Sequence, residues 1–422
     1  MVIKRDSYLK KLLELRGNNM AKVITGIRRC GKSFLLKNIF ANYLLENEGV
    51  TADHIIYVAL DTPDNKQLCN ADALYNYIKS RTLDNAKYYI LLDEIQLVSN
   101  FEFLVNGLVY NNNYEVYITG SNSKFLSSDI ATEFRGRSWE VRVQPLSFNE
   151  VCSIDGLDKD YVDIWQDYIK YGGLPAVWLM SDDSSKKMEY LQMQATNVYL
   201  NDIVSRYNVQ NRTVLNSLTS VMASNIGCLT NPTKLVNTFK SKVNESVAWN
   251  TINNYLDYME DAFLVERVER YDVKGRKYIG SPAKYYFTDI GVRNSLVNYR
   301  QIEETHIMEN VIYNELRRRG YRVDVGVVND RITKNGESHR SQLEIDFIAE
   351  KGSDRVYIQS AYMMYEQDKA EQEKRPLKKV EDNFRKVVIC MNANGRGHSY
   401  DNAGIMTMGL FDFLVDDKSL EF

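Results

Sequence analysis

Lys32, Ser33, Asp93 and Glu94 have the types and spacing for chemistry on a phosphate chain. Lys32 and Ser33 close the run Gly26-Ile27-Arg28-Arg29-Cys30-Gly31-Lys32-Ser33, which fits the P-loop pattern G-x-x-x-x-G-K-[ST]. Gly26 and Gly31 let the backbone bend until successive N–H groups point into one concavity, an anion nest at a helix N-terminus. The backbone from Gly26 through Phe34 is the expected cradle for the phosphates of ATP. Lys32 brings a mobile positive charge to the outer phosphates, and the Ser33 hydroxyl is an expected Mg²⁺ ligand. Asp93 is the second expected ligand, direct or through water, and Glu94 is expected to orient and polarise the attacking water.

These groups need a scaffold that ends several strands at one edge. Val23-Ile24-Thr25 is a short β-branched run before the loop, and Phe34, Leu35, Leu36, Ile39 and Phe40 follow it at helical spacing. Further strands are expected at 54–60, 87–94, 115–119 and 138–143, with a helix at 71–80. Alternating strands and helices through 21–143 imply a parallel sheet covered on both faces, with the nucleotide in its switch-point crevice. The strand at 115–119 runs into Gly120-Ser121-Asn122-Ser123. Asn122 and Ser121 are candidates to sense the terminal phosphate or place the water; an ordinary polar turn is the alternative. Phe134-Arg135-Gly136-Arg137 carries two arginines on the sheet rim. Arg135 or Arg137 is a candidate arginine finger for a neighbouring subunit's ATP, which implies a homo-oligomer; a solvated surface turn is the alternative.

Composition narrows the rest. The chain has 422 residues, enough for two to four domains, and a net charge of −3, which supplies no global field for nucleic acid. Its five cysteines are far apart and form no C-x-x-C pair, as expected of a reduced compartment without a disulfide framework or zinc site. The four histidines are scattered. Residues 1–20 read as an amphipathic helix with Tyr8, Leu9, Leu12, Leu13 and Leu15 as its stripe, not as a signal peptide. No apolar run approaches the ~20 residues of a membrane span. A soluble, cytoplasmic protein without membrane contact is expected.

Six segments together resemble the prokaryotic AAA-type ATPases that carry a C-terminal domain of unknown function. They are ITGIRRCGKS (24–33), LLDEIQ (91–96), ITGSNS (118–123), FRGR (134–137), QPLSFNE (144–150) and YGGLPAV (171–177). The resemblance spans nearly the whole chain and implies an α/β fold: an AAA+-like P-loop core at 1–144 and a helical lid at 145–205. A winged-helix-like domain at 206–300 and a restriction-endonuclease-like domain at 301–422 complete it.

Three stretches bear on partners. Tyr171-Gly172-Gly173-Leu174-Pro175 interrupts helical patterning, as a hinge or a plain chain reversal. Arg206, at the end of a helix, is a further candidate for the nucleotide or a lid contact. In 207–300, a helix stripe (Ile252, Tyr255, Leu256, Met259) precedes strands around the basic turn 272–277. If this layout binds DNA, residues 250–254 approach a groove and Lys274, Arg276 and Lys277 contact phosphates; a protein partner is the alternative. In 301–422, Glu309 and Asp346 are placed like the acids of a PD-(D/E)xK nuclease. The E-x-K position, however, reads Gln359-Ser360-Ala361. One acid and the lysine are lost, so nuclease activity is not expected and a degenerate binding domain is.

Overall fold

The computed structural model describes residues 3–120, 134, 136–157, 159–240, 247–300, 302–334, 337–364, 367–391 and 398–421, with backbone alone at 331–334, 337–340 and 367. The chain divides into two compact units. One comprises 1–145, 153–156 and 261–263; the other comprises 146–152, 157–260 and 264–422.

The first unit is built on five parallel strands: β1 (Ala21–Thr25), β2 (Ile55–Ala59), β3 (Tyr88–Asp93), β4 (Tyr114–Thr119) and β5 (Ser138–Arg142), in the order β2-β3-β4-β1-β5. Every residue of β1, β3 and β4 is buried, whereas β2 and β5 at the two edges are buried in part. That contrast is what helices on both faces of a parallel sheet produce. Helix α1 (Asp6–Glu14) buries Tyr8 and Leu12 of the expected stripe. A helical run over 32–47 (α2) leaves the P-loop and is wound as a π-helix at Leu35–Phe40. Helices α3 (Ala71–Arg81) and α4 (Phe101–Val109) connect the strands that follow. The expected strands and the parallel sheet are therefore present.

The second unit starts with helices: α5 (Phe148–Cys152), α6 (Tyr161–Tyr171), α7 (Pro175–Leu179), a run over 184–207 (α8), α9 (Arg212–Ser224), α10 (Pro232–Thr238) and α11 (Trp249–Asp261). Strands β6 (Val265–Asp272) and β7 (Lys277–Phe287), helix α12 (Ile290–Leu296) and helix α13 (Glu304–Arg318) come next. Then come β8 (Arg322–Lys334), β9 (Glu337–Lys351), β10 (Asp354–Ala361), α14 (Gln367–Lys378), β11 (Arg385–Cys390), β12 (Ser399–Tyr400), β13 (Met406–Gly409) and α15 (Leu410–Val415). The strands form one mixed sheet of eight, in the order β12-β13-β11-β10-β9-β8-β6-β7.

Pairing in this sheet departs from the layout read from sequence. The β6–β7 hairpin around the basic turn is present, but β6 also pairs in parallel with β8, Arg270 opposite Val325. A lone two-stranded hairpin is marginal in water, and the sheet of 301–422 supplies the third strand that stabilises it. Near the other end of the unit, Phe148 on α5 stacks on Phe411 of α15 at 5.6 Å and meets Trp165 and Tyr168 edge-on. The segment expected as a lid thus shares an aromatic core with the last helix of the chain.

The Gly172-Gly173 turn between α6 and α7 is a clamped chain reversal. The Leu146 N–H donates to the Gly173 carbonyl at 2.7 Å, and the Gly173 N–H donates to Asp289 Oδ2 at 2.8 Å. A Cβ at Gly172 would meet the Gly291 nitrogen at 2.4 Å and Asp289 Oδ1 at 2.5 Å, so only glycine fits. Asp289 also caps α12 through the Val292 N–H at 2.9 Å. Burial pushes its carboxyl up to about 6, against the pull of the backbone N–H groups of Val292 and Gly173. The folded-state value lies above the ordinary ~3.9, so the folded chain holds the extra proton between about pH 4 and 6. The group's contribution to stability therefore declines as pH rises through that window. Asp289→Ala is expected to cost about 3 kcal/mol by leaving two buried N–H groups without an acceptor. Urea melts from pH 4 to 7 should show that loss, and the variant should lack the Asp289 share of the pH dependence.

Candidate functional site

The carboxyl ends of β1, β4 and β3 lie side by side, because β4 runs between the other two. The P-loop leaves β1 there with left-handed backbone at Gly26 (φ 137°), Arg29 (φ 65°) and Gly31 (φ 100°). Gly26 is needed for space as well as for conformation: a Cβ would lie 2.1 Å from the Val143 carbonyl oxygen. Ile27 and Cys30 are buried, and the Cys30 Sγ–H donates to that same Val143 carbonyl at 3.4 Å. Arg28, Arg29, Ser33 and Phe34 are exposed. Lys32 is buried, and its Nζ donates to the carbonyls of Gly26 at 2.8 Å and Ile27 at 3.1 Å. Its ammonium thus lies folded across the loop that it would serve.

Asp93 is brought to the loop from β3. The Ser33 hydroxyl donates to Asp93 Oδ1 at 3.1 Å, across sixty residues of sequence. Two further hydroxyls, which the sequence did not single out, hold the same carboxylate. Thr119, the last residue of β4, donates to Oδ1, and Tyr57 on β2 donates to Oδ2 at 3.0 Å. Burial and the Asp93 charge push the Tyr57 phenol well above its usual range, so it stays a donor. Thr119 Oγ1 also accepts the Glu94 N–H at 3.1 Å, fixing the backbone of the acid pair. Glu94 itself is left-handed (φ 56°), and Gln96 Nε2 donates to its Oε2. Thr119 could have been found from sequence as a hydroxyl at a strand end beside Gly120; for Tyr57 no sequence signal exists, because β2 alternates.

Other candidates are placed elsewhere. Asn122, Ser121 and Arg135 lie outside the described residues. Arg137 precedes β5, its carbonyl accepting from the Ala21 N–H at 2.9 Å at the amino end of β1. The P-loop is at the opposite end of that strand, roughly 13 Å away at ~3.3 Å per residue. The Arg137 guanidinium rests 5.8 Å over the Tyr110 ring. Arg206 pairs with Asp202 one helical turn before it. In the second unit Glu309 and Asp346 do lie close to one another, each within ion-pair distance of Lys284. Gln359 Oε1 accepts the Asp346 N–H at 3.4 Å, and Ala361 belongs to the apolar cluster with Leu377 and Val380. Lys284 was missed, because it comes from β7, far from the triplet position.

An anion nest, a lysine and a hydroxyl–carboxylate pair at the ends of a parallel sheet agree with what known proteins show. Residues 18–152 match the model of an AAA domain, and residues 162–303 match a domain of unknown function (DUF8612). An uncharacterized protein of Haemophilus influenzae is 34% identical over 392 residues, covering 92% of this chain and 93% of its own. The chain belongs to this family of AAA-domain proteins. Uncharacterized protein MJ1544 of Methanocaldococcus jannaschii is 29% identical over 411 residues, 93% of this chain and 86% of its own. Among solved structures, the Walker-type ATPase paby2304 of Pyrococcus abyssi has a TM-score of 0.50 at 15% identity, over 70% of this chain and 96% of its own. That likeness is one of fold. Among the described residues, no helix of the AAA-domain protein is long and apolar enough to cross a membrane.

The donor set suits the group that an AAA domain implies. One hydroxyl and one carboxylate are hard oxygen ligands of the kind Mg²⁺ takes along with water and phosphate oxygens. Gly26→Ala is expected to strain the loop by about 1–3 kcal/mol, through its φ and its clash with Val143. Isothermal titration with ATP and Mg²⁺ should show an affinity loss of roughly tenfold or more, with a melting temperature lowered by only about 2–10 °C.

Proposed function

We propose that this AAA-domain protein binds and hydrolyses ATP with Mg²⁺ and uses the nucleotide state to act on a partner through its second unit. The reading rests above all on the Ser33–Asp93 hydrogen bond beside the folded-back Lys32. Two segments with no local relation converge there on the groups that phosphoryl transfer requires. Lys32, released from the Gly26 and Ile27 carbonyls, would turn its ammonium to the outer phosphates. Ser33 and Asp93 would hold Mg²⁺, which when bound neutralises phosphate charge. Glu94 would hold the attacking water, oriented through its own backbone tie to Thr119 and its side-chain tie to Gln96. Asn122 is proposed as the polar group at the end of β4 that reports on the terminal phosphate.

Arg137, or Arg135 two residues before it, is proposed to act on the ATP of a neighbouring copy. The position of Arg137 at the amino end of the sheet, away from its own P-loop, supports action in trans and hence a homo-oligomer. For the second unit we propose a winged-helix-like part at 206–300 that binds protein in preference to DNA. Helix α11 carries Asp257, Glu260 and Asp261 and no lysine or arginine, a poor surface to bring against phosphates. On the adjoining turn Lys274 is paired with Glu381 at 2.7 Å.

Glu94→Gln is expected to retain ATP binding and lose roughly 10²–10⁴-fold in turnover. Arg137→Ala should lose turnover as well, and mixing the two variants should restore it, since each supplies what the other lacks. Failure of the mixture to recover would remove Arg137 from a neighbour's site. Binding of labelled duplex DNA that weakens steeply with salt and is lost in Arg276→Ala would restore the DNA reading over the protein one.

A further inference from the structure

Inside the second unit, three charged side chains from three elements meet in the interior, and a fourth, partly exposed, joins them at the rim. Lys284 on β7 is 3% exposed, Glu309 on α13 is 6% exposed and Asp346 on β9 is 8% exposed; Glu344, also on β9, closes the group from its rim. The Lys284 Nζ donates to Glu309 Oε1 at 2.8 Å, lies 2.7 Å from Glu344 Oε1 and stands 3.8 Å from Asp346 Oδ1. Further polar groups lie against the carboxylates. The Tyr286 hydroxyl donates to Glu309 Oε1 at 2.5 Å, and His306 Nδ1 lies 3.8 Å from Glu309 Oε2. The Ser360 N–H donates to Asp346 Oδ2 at 2.8 Å. Ser360 Oγ, on a residue nine-tenths buried, has no hydrogen-bond partner among the described residues.

Two buried carboxyl groups with a third at their rim repel one another when ionised and favour a cation among them. Hard divalent cations take carboxylate oxygens at about 2.0–2.6 Å. Here the Lys284 ammonium holds that place, with two carboxylate oxygens at ammonium distances. Among the described residues, no three His, Cys, Asp or Glu side chains are arranged to hold a metal ion as the chain stands.

We infer that Glu309, Glu344 and Asp346 form a latent divalent-cation site whose cation is internal, the ammonium of Lys284, and that this tie fastens β7 to α13 and β9 in place of a metal. Burial alone would raise the Glu309 carboxyl, but the Lys284 charge and the hydrogen bonds to Glu309 hold it down at about 2. Burial and the Glu309 charge push Asp346 well above the usual range.

The test is Mn²⁺ binding to the full chain without nucleotide, followed by the electron paramagnetic resonance of free Mn²⁺, together with thermal melts. For the parent protein, Asp346→Asn is expected to remove no bound Mn²⁺. Lys284→Ala is expected to melt roughly 5 °C or more below the parent, to gain one Mn²⁺ and to recover part of its melting temperature with it. Adding Asp346→Asn to Lys284→Ala should abolish that gain. Mn²⁺ binding by the parent that Asp346→Asn removes, or Mg²⁺-dependent plasmid nicking lost in that variant, would overturn the inference. So would a Lys284→Ala protein that melts with the parent and gains no Mn²⁺. Should Lys284→Ala not fold, Lys284→Met gives a second route to the metal gain, and the parent and Asp346→Asn titrations still decide whether metal occupies the site.

Discussion

The carboxylate of Asp93 is the point on which the candidate site depends. It accepts from Ser33 on the P-loop helix, Thr119 on β4 and Tyr57 on β2, so one acid ties three other elements together at one edge of the sheet. Such an arrangement needs strand ends that lie level with one another, and a parallel sheet with β4 between β1 and β3 provides them. Its hydroxyl partners also keep the acid oriented while exposed Ser33 stays open to a ligand. Lys32 is treated in the same way: its charge rests on two carbonyls of its own loop and not on a carboxylate. A carbonyl pair holds an ammonium less tightly than an ion pair does, so this lysine is the more readily released.

The framework around this edge uses buried charge sparingly and in pairs. Lys22, the second residue of β1, lies 2.5 Å from Glu115, the second residue of β4, and both side chains are almost wholly buried. Burial pulls the Lys22 ammonium below its usual range, against the opposing pull of Glu115. Lys87 and the Gly17 N–H use the remaining oxygen of Glu115. Removing Glu115 would leave the Lys22 charge uncompensated between two central strands, whereas removing Lys22 would leave Glu115 with Lys87. Lys284 and its carboxylates repeat this logic in the second unit, with a hairpin as the element held.

Much of the first unit was legible because its signals are local. The P-loop is eight consecutive residues, Asp93-Glu94 ends an apolar run, and the apolar patterns of β1, β3 and β4 mark strands buried on both faces. The AAA domain follows from those pieces. What could not be read was pairing at a distance. Nothing in 265–287 announces that β6 lies parallel to β8, because that contact is set by which sheet edge is left open and not by turn chemistry. The same blindness hid Lys284. Ala361 stands where an E-x-K triplet has its lysine, yet Lys284, on a strand more than seventy residues earlier, lies beside Asp346. Tyr57 was missed for a related reason: on an edge strand with alternating burial, the hydroxyl that reaches Asp93 looks like any half-buried tyrosine.

Pairing at a distance also fixes the segment expected to be a lid. Phe148 and Trp165, in the segment expected to be a lid, pack on Phe411 near the end of the chain. The Gly172-Gly173 turn that could have been a hinge is pinned by Leu146 and Asp289. A glycine pair confers flexibility only where the backbone groups beside it are free to change partners. Here those groups are buried and bonded, and a Cβ at Gly173 would meet the Leu146 carbonyl oxygen at 2.2 Å. The glycines serve close packing. A displacement of 157–171 would then carry the packed helices and the eight-stranded sheet with it, rather than swing a free lid.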